Sequence, residues 1–395
     1  MSRSKSKPAR PGGKAGGRAG GRPDGRARPA AKARPAANGA RPVRPVLFFA
    51  LLGGLFLALG LYEWLAALFS GDLKPTTAGR GTAPEWVSWS VHGQEVLLGL
   101  VGLAVLVIVV VLPWRRSGHL SFDGMTVLGW ATLWLIQDPW INYSQTVISY
   151  NSTALNLGCP QCHAPGWLSN DTLAVPIIWG LGCYIGPLYL LTLAAGRVMG
   201  KVRVRRPHIG PFGLVMVAIG FMAVAGVLLE VLWSSTAILA FGGAAPWFSL
   251  FGDSYYRSPL WAGLFWGIAT GLIAAIRYFI DDRGQTLVER GLDDVRAGDK
   301  RKQALRLLAV IGAMNGLFAV AYNVPVQWFG LHAQAFPDDL LNRPYLLGGV
   351  CGPGTPFACP DPRVPIPRGS ESGRVNPDGN FFAPEGMPDQ IGEDN

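Results

Sequence analysis

Seven long apolar stretches constrain this chain more than any other feature: about Val46 to Phe69, Val91 to Trp114, Leu120 to Ile136, Leu173 to Ala195, Phe212 to Leu232, Leu260 to Ile280 and Leu305 to Tyr322. Each approaches the ~20 residues that a helix needs to cross a hydrocarbon layer ~30 Å thick. The stretches are continuous, without the period-two alternation of barrel strands, and a helix satisfies its own backbone polar groups in lipid. The expected fold is therefore all-α, a polytopic membrane bundle of about seven transmembrane helices. Composition points the same way, because 49% of the 395 residues are hydrophobic and only 15% charged, too few charges to hydrate a soluble protein of this size. The first stretch is too long for a signal-peptide h-region and no A-x-A site follows it, so it reads as a retained anchor.

Basic residues orient the bundle. Of the 35 Lys and Arg, 28 fall before the first stretch, at Arg115 and Arg116, between Arg197 and Arg206, or between Arg277 and Arg306. The positive-inside rule then predicts the N-terminus in the cytoplasm, the C-terminus outside and residence in the plasma membrane. The net charge of +10 is on this reading a topological signal, and no nucleic-acid partner is expected. Residues 1–44, rich in Arg, Gly, Pro and Ala, read as a disordered basic arm that can brush anionic head groups. Residues 45–330 form the seven-helix domain, and residues 331–395 an extracytoplasmic, mostly irregular tail. The sequence carries no signal for oligomeric state.

On this topology Cys159, Cys162, Cys351 and Cys359 face the outside, where disulfides persist, and Cys183 alone lies in a helix. Two short bridges, 159 to 162 and 351 to 359, or a cross-bridge between loop and tail, are equally compatible with the spacing. Cys159-Pro-Gln-Cys162-His163 also matches the C-x-x-C-H attachment signal of c-type haem. Axial partners are scarce, with Met387 in the tail and His92 or His332 as the alternatives, so a disulfide ranks above haem. Zinc, with three nearby ligands, ranks lower. No metal and no resident cofactor are expected.

Ionisable groups at membrane depth are costly and so are candidate functional groups. Asp138 opens the run Gln137-Asp-Pro-Trp-Ile-Asn142-Tyr143, followed by Tyr150, Asn151, Ser152 and Asn156, a density of amides and phenols expected to line a polar pocket. Glu230 is the deepest acid; a carboxyl there suits a general acid, and a buried structural hydrogen bond explains it as well. Glu63, near the end of the first stretch, is expected to reach the head groups. Tyr184 on helix four, with Asn315, Tyr322 and Asn323 along one face of helix seven, adds donors and acceptors. Helix-to-helix hydrogen bonding also accounts for that face. Asp281, Asp282 and Glu289 read as a solvated helix end with local ion pairs.

Asp138-Pro-Trp-Ile-Asn142-Tyr143, Tyr150-Asn151, Asn156-Leu-Gly158, Pro165-Gly-Trp167, Asp282-Arg-Gly284 and Glu289-Arg-Gly291 together resemble the AveC spirocyclase family of membrane proteins. The similarity covers the membrane body and neither terminal segment. It implies an intramembrane enzyme that closes a dihydroxyketone on a polyketide into a spiroketal, with dehydratase activity in some members. Cys159 and Cys162 depart from the family pattern between its Asn-x-Gly and Pro-Gly-Trp elements. Spiroketal closure needs an acid to expel water from a hemiketal, a carboxylate and aromatic walls around the oxocarbenium ion. Asp138 and Glu230 are the expected acid/base pair; Asn142, Tyr143, Tyr150, Asn151, Asn156, Tyr184, Asn315, Tyr322 and Asn323 are the expected substrate contacts. The expected substrate is a lipophilic small molecule arriving from the bilayer. A non-catalytic lipid-binding or accessory protein would use the same pocket, and a transporter is disfavoured by the lack of an internal repeat.

Overall fold

The computed structural model describes residues 44–138, 140, 147–165, 173–331, 334–352, 359, 374–375 and 381–382. The expected disordered arm before residue 44, most of the tail beyond 352, and Asn142, Tyr143, Trp167, His332 and Met387 lie outside the described residues.

Among the described residues, seven apolar helices alternate in direction: α1 (Pro45–Ser70), α2 (Glu85–Ser117), α3 (Phe122–Ile136), α4 (Ile177–Arg205), α5 (Pro211–Ser235), α6 (Leu260–Tyr278) and α7 (Asp299–Phe329). All but α3 are long enough to cross a membrane, and the chain is a multi-pass membrane protein. With 15 residues, α3 rises about 22 Å, short of the hydrocarbon thickness. It starts at a capped end, where Ser121 Oγ accepts from the Gly124 amide at 3.0 Å. A span that stops this early exposes polar backbone groups at its end, which is tolerated at membrane depth only where protein covers them. α3 is accordingly central, with Trp130, Leu133 and Trp134 fully buried, whereas α2 and α5 bury only about a fifth of their apolar windows (17% and 22%).

The basic residues gather at one end of the bundle. There Arg277, closing α6, pairs with Asp123 in the first turn of α3 at 2.5 Å. The Arg290 carbonyl accepts from the Val46 amide at the start of α1 at 3.2 Å. The loop after α6 is less solvated than its charges suggest. Glu289 is buried, accepts from Thr286 at 2.8 Å and 2.9 Å, and pairs with Arg306 of α7 at 2.5 Å. Asp282 remains exposed.

Close helix packing relies on small residues, which replace the missing hydrophobic drive inside lipid with backbone contact. Gly263, Gly267 and Gly271, one turn apart on α6, lie against Val227, Ala223 and Ile219 of α5. Gly53 of α1 and Gly312 of α7 meet backbone to backbone, as do Gly102 of α2 and Gly182 of α4. Three helices also widen locally into π turns, Leu106–Val111, Tyr184–Leu188 and Ala319–Asn323. Each contains or closely precedes a proline, namely Pro113, Pro187 and Pro325. A proline has no amide to donate and its ring crowds the carbonyl one turn back, and the wider turn relieves both.

The opposite end is capped by loops. Strand β1 (Ser149–Tyr150) pairs antiparallel with β2 (Leu239–Ala240), and β3 (Ser249–Leu250) with β4 (Ser258–Pro259). The Ser152 amide donates to the Tyr345 carbonyl and the Ala174 amide to that of Gly348, both at 2.9 Å. Buried Arg257 fastens this cap through the carbonyls of Gly252, Gly242 (3.1 Å) and Ala244 (2.5 Å). Burial pushes its guanidinium below the usual arginine range, and nearby Asp253 opposes that shift. The structure pairs Cys159 with Cys162 and Cys351 with Cys359. Neither sulfur of the C-x-x-C-H motif is then available for a haem thioether, and His163 lies 3.3 Å from the Asp72 carboxylate.

Candidate functional site

Where α3 ends, Gln137 and Asp138 enter the protein interior, both buried. Asp138 receives two phenol donors: Tyr150 of β1 bonds one carboxylate oxygen at 2.9 Å, and Tyr184, on the π turn of α4, bonds the other. Glu230 approaches from α5. One cavity is lined by Asp138, Glu230, Tyr150, Tyr184 and Tyr322, with Ile148, Leu188 and Leu239 and a wall of Trp179, Trp233 and Trp266. The two acids, 92 positions apart in the chain, thus face the same space.

Tyr184 and Tyr322 both reach it from π turns, segments often found at functional sites because they re-aim side chains out of helical register. The aromatic rings hold each other in edge-to-face and tilted contacts. Trp179 lies 5.2 Å from Trp233, and Trp134, behind the wall, 5.4 Å from Tyr184 and 5.8 Å from Tyr150, between centroids. Glu230 Oε2 is buried and has no hydrogen-bond partner among the described residues. Such a group is costly in a dry interior, so it is either protonated or waiting for a donor. The cavity volume is about 30 Å³, room for one or two waters.

The remaining sequence-expected contacts are placed elsewhere. Asn151 donates to the Ala237 carbonyl at 2.7 Å and accepts from the Thr153 amide and hydroxyl at 2.9 Å and 2.7 Å. Asn156 joins the Thr76 amide at 2.8 Å and the Ala154 carbonyl at 3.0 Å. Both brace loop backbone and neither lines the cavity. Asn315 and Asn323 meet Gln137 in an amide chain: Gln137 donates to Asn315 Oδ1 at 2.7 Å and accepts from Asn323 at 2.9 Å, and Asn315 donates to Thr132 at 3.0 Å. This chain ties the end of α3 to the π turn of α7, one residue away from Asp138 on one side and Tyr322 on the other.

Sequence reasoning quoted Gln137 at the head of the polar run but gave it no role, and it expected aromatic walls without identifying Trp179, Trp233 and Trp266. It also misjudged Glu63, which turns inward, fully buried, and accepts from Trp140 Nε1 at 3.1 Å rather than reaching head groups. Among the described residues no group of three or more His, Cys, Asp or Glu could hold a metal ion.

The family described as Spirocyclase AveC-like matches residues 114–346, a span holding α3 to α7 and every residue that lines the cavity. No curated protein and no solved structure matches the chain. With more than half of its 395 residues inside that match, the chain belongs to the AveC-like spirocyclase family.

Proposed function

We propose that the chain is an intramembrane cyclase that closes a hydroxylated ketone on a lipophilic, polyketide-like chain into a spiroketal, with Asp138 and Glu230 as its proton-transfer pair. The observation that carries this reading is the meeting of two buried carboxyls at one aromatic-walled cavity, one gripped by two phenols and the other with an unpartnered oxygen.

The chemistry divides between them. Glu230, through Oε2, gives its proton to the hemiketal hydroxyl, and the C–O bond breaks to release water and an oxocarbenium ion. Asp138, as the carboxylate held by Tyr150 and Tyr184, faces that cation and takes the proton from the second hydroxyl as its oxygen bonds to the carbon. The proton returns to Glu230, so the net change is loss of one water. Trp179, Trp233 and Trp266 keep bulk water from trapping the cation, and their π faces favour its positive charge. A cavity of about 30 Å³ does not hold a polyketide, so substrate binding requires the aromatic walls to part. That tightness equally suits a second reading, in which the carboxyl pair holds a water inside a non-catalytic accessory protein.

Metabolite profiling of a deletion strain separates the two. Accumulation of an uncyclised precursor, restored to product by the intact chain and not by Asp138→Asn or Glu230→Gln, supports the cyclase. Full complementation by both variants would overturn the assignment of the pair, and no accumulating small molecule would favour the accessory protein.

A further inference from the structure

At the basic end, two open grooves adjoin between the C-terminal turn of α2 and the first turns of α7. One, about 720 Å³, is lined by the cations Arg115 and Lys300 together with the apolar Trp114, Leu120 and Leu307. The second, about 710 Å³, shares Lys300 and adds Arg301, with Asp299 as its lone acid. Three cations of this end are held by carboxylates, Arg277 by Asp123, Arg306 by Glu289 and Arg290 by Asp281, whereas several others, the groove's among them, are in no such pair among the described residues. Arg115, Lys300 and Arg301 form no ion pair among the described residues.

We propose that this groove binds one anionic glycerophospholipid, its phosphodiester against Arg115, Lys300 and Arg301 and its glycerol and upper acyl carbons against Trp114, Leu120 and Leu307. The groove lies at the ends of two membrane-spanning helices, the depth at which head groups sit. Half-exposed Trp114 is the side chain that favours this boundary. Three cations against one acid leave a surplus of positive charge that favours an anionic head group over a zwitterionic one, and basic clefts between helices are head-group sites. The amino end of the α7 dipole adds to the attraction. The apolar wall decides for a lipid over free phosphate, which would leave that wall in water. This proposal is independent of the chemistry at Asp138 and Glu230.

The test uses the full chain in bilayer discs containing phosphatidylcholine and phosphatidylglycerol, followed by native mass spectrometry of the lipid that stays bound. One phosphatidylglycerol retained in preference to phosphatidylcholine is expected. Its retention should fall on the order of a hundredfold in Arg115→Gln/Lys300→Gln/Arg301→Gln, since each cation near the surface contributes about fivefold to the attraction of an anionic lipid. Lys201→Gln/Arg203→Gln/Arg205→Gln, an equal charge loss at the end of α4, should retain it. The proposal is overturned if the intact chain shows no preference between the two lipids. It is also overturned if both triple variants behave alike, or if inorganic phosphate alone displaces the lipid.

Discussion

Tyr150 donates its phenol hydrogen to Asp138 at 2.9 Å, and this bond fastens the loop cap to the end of the short central helix. Tyr184 holds the other carboxylate oxygen from α4. A hydrogen bond to a charged group is worth roughly 1.5–3 kcal/mol, so removing one donor is expected to slow turnover by about 10- to 100-fold. Tyr150→Phe and Tyr184→Phe keep the rings and their edge-to-face contacts. Each should therefore lower kcat while the melting temperature in detergent moves little. Unchanged kcat in both variants would remove Asp138 from the chemistry.

The Gln137 amide reaches two sites on α7 at once. Hydrogen bonds between membrane helices average only ~0.6 kcal/mol, but Gln137→Leu strands two buried partners, Asn315 Oδ1 and Asn323 Nδ2. Unsatisfied buried groups cost roughly 1–3 kcal/mol each, and a total loss of about 2 kcal/mol or more is expected in unfolding measurements. Asn156→Ala, which breaks a loop brace to Thr76 and Ala154 outside the cavity lining, serves as comparison. If Gln137→Leu alters stability no more than a lipid-facing substitution, the amide chain carries no weight. If it also slows turnover beyond its stability loss, the chain aligns Asp138 with Tyr322.

The helices were legible because membrane depth imposes one rule on every residue of a span, and that rule shows as long apolar runs. Glu230 and Asp138 were legible for the complementary reason, as polar exceptions to it. Asn151 and Asn156 misled because a loop must satisfy its own backbone, and side-chain amides that do so look in sequence like ligand contacts. The meeting of Asp138 with Glu230 depends on helix rotations set by packing, as at Gly226 against Trp266, which no local pattern encodes. The π turns had a local signal in Pro113, Pro187 and Pro325, readable once proline is treated as a register change within an apolar run.

Gly53 and Gly54 are neighbours in α1 with opposite environments. A Cβ on Gly53 would collide with the Leu308 carbonyl and lie 2.9 Å from the Gly312 amide nitrogen, whereas one on Gly54 meets nothing within 4 Å. Gly53→Ala should therefore force α1 from α7 and destabilise the chain by about 1–3 kcal/mol, as overpacking does. Gly54→Ala should be neutral or slightly stabilising, because alanine favours the helix. Thermal unfolding of the two in the same detergent checks this, and equal melting temperatures would deny the close contact.

The concentration of cations at one end of the bundle predicts that this end faces the cytoplasm. Both disulfides belong to the opposite end, which on that orientation lies in the compartment where they form. The cysteines make the orientation simple to measure, since four are paired and Cys183 is buried, leaving little background for a thiol reagent. Thr77, in the loop between α1 and α2, and His208, between α4 and α5, are both exposed and lie at opposite ends. A membrane-impermeant maleimide applied to intact cells should label Thr77→Cys at once and His208→Cys only after lysis. The reverse pattern would place the basic end outside and, with it, the proposed lipid groove in the outer leaflet.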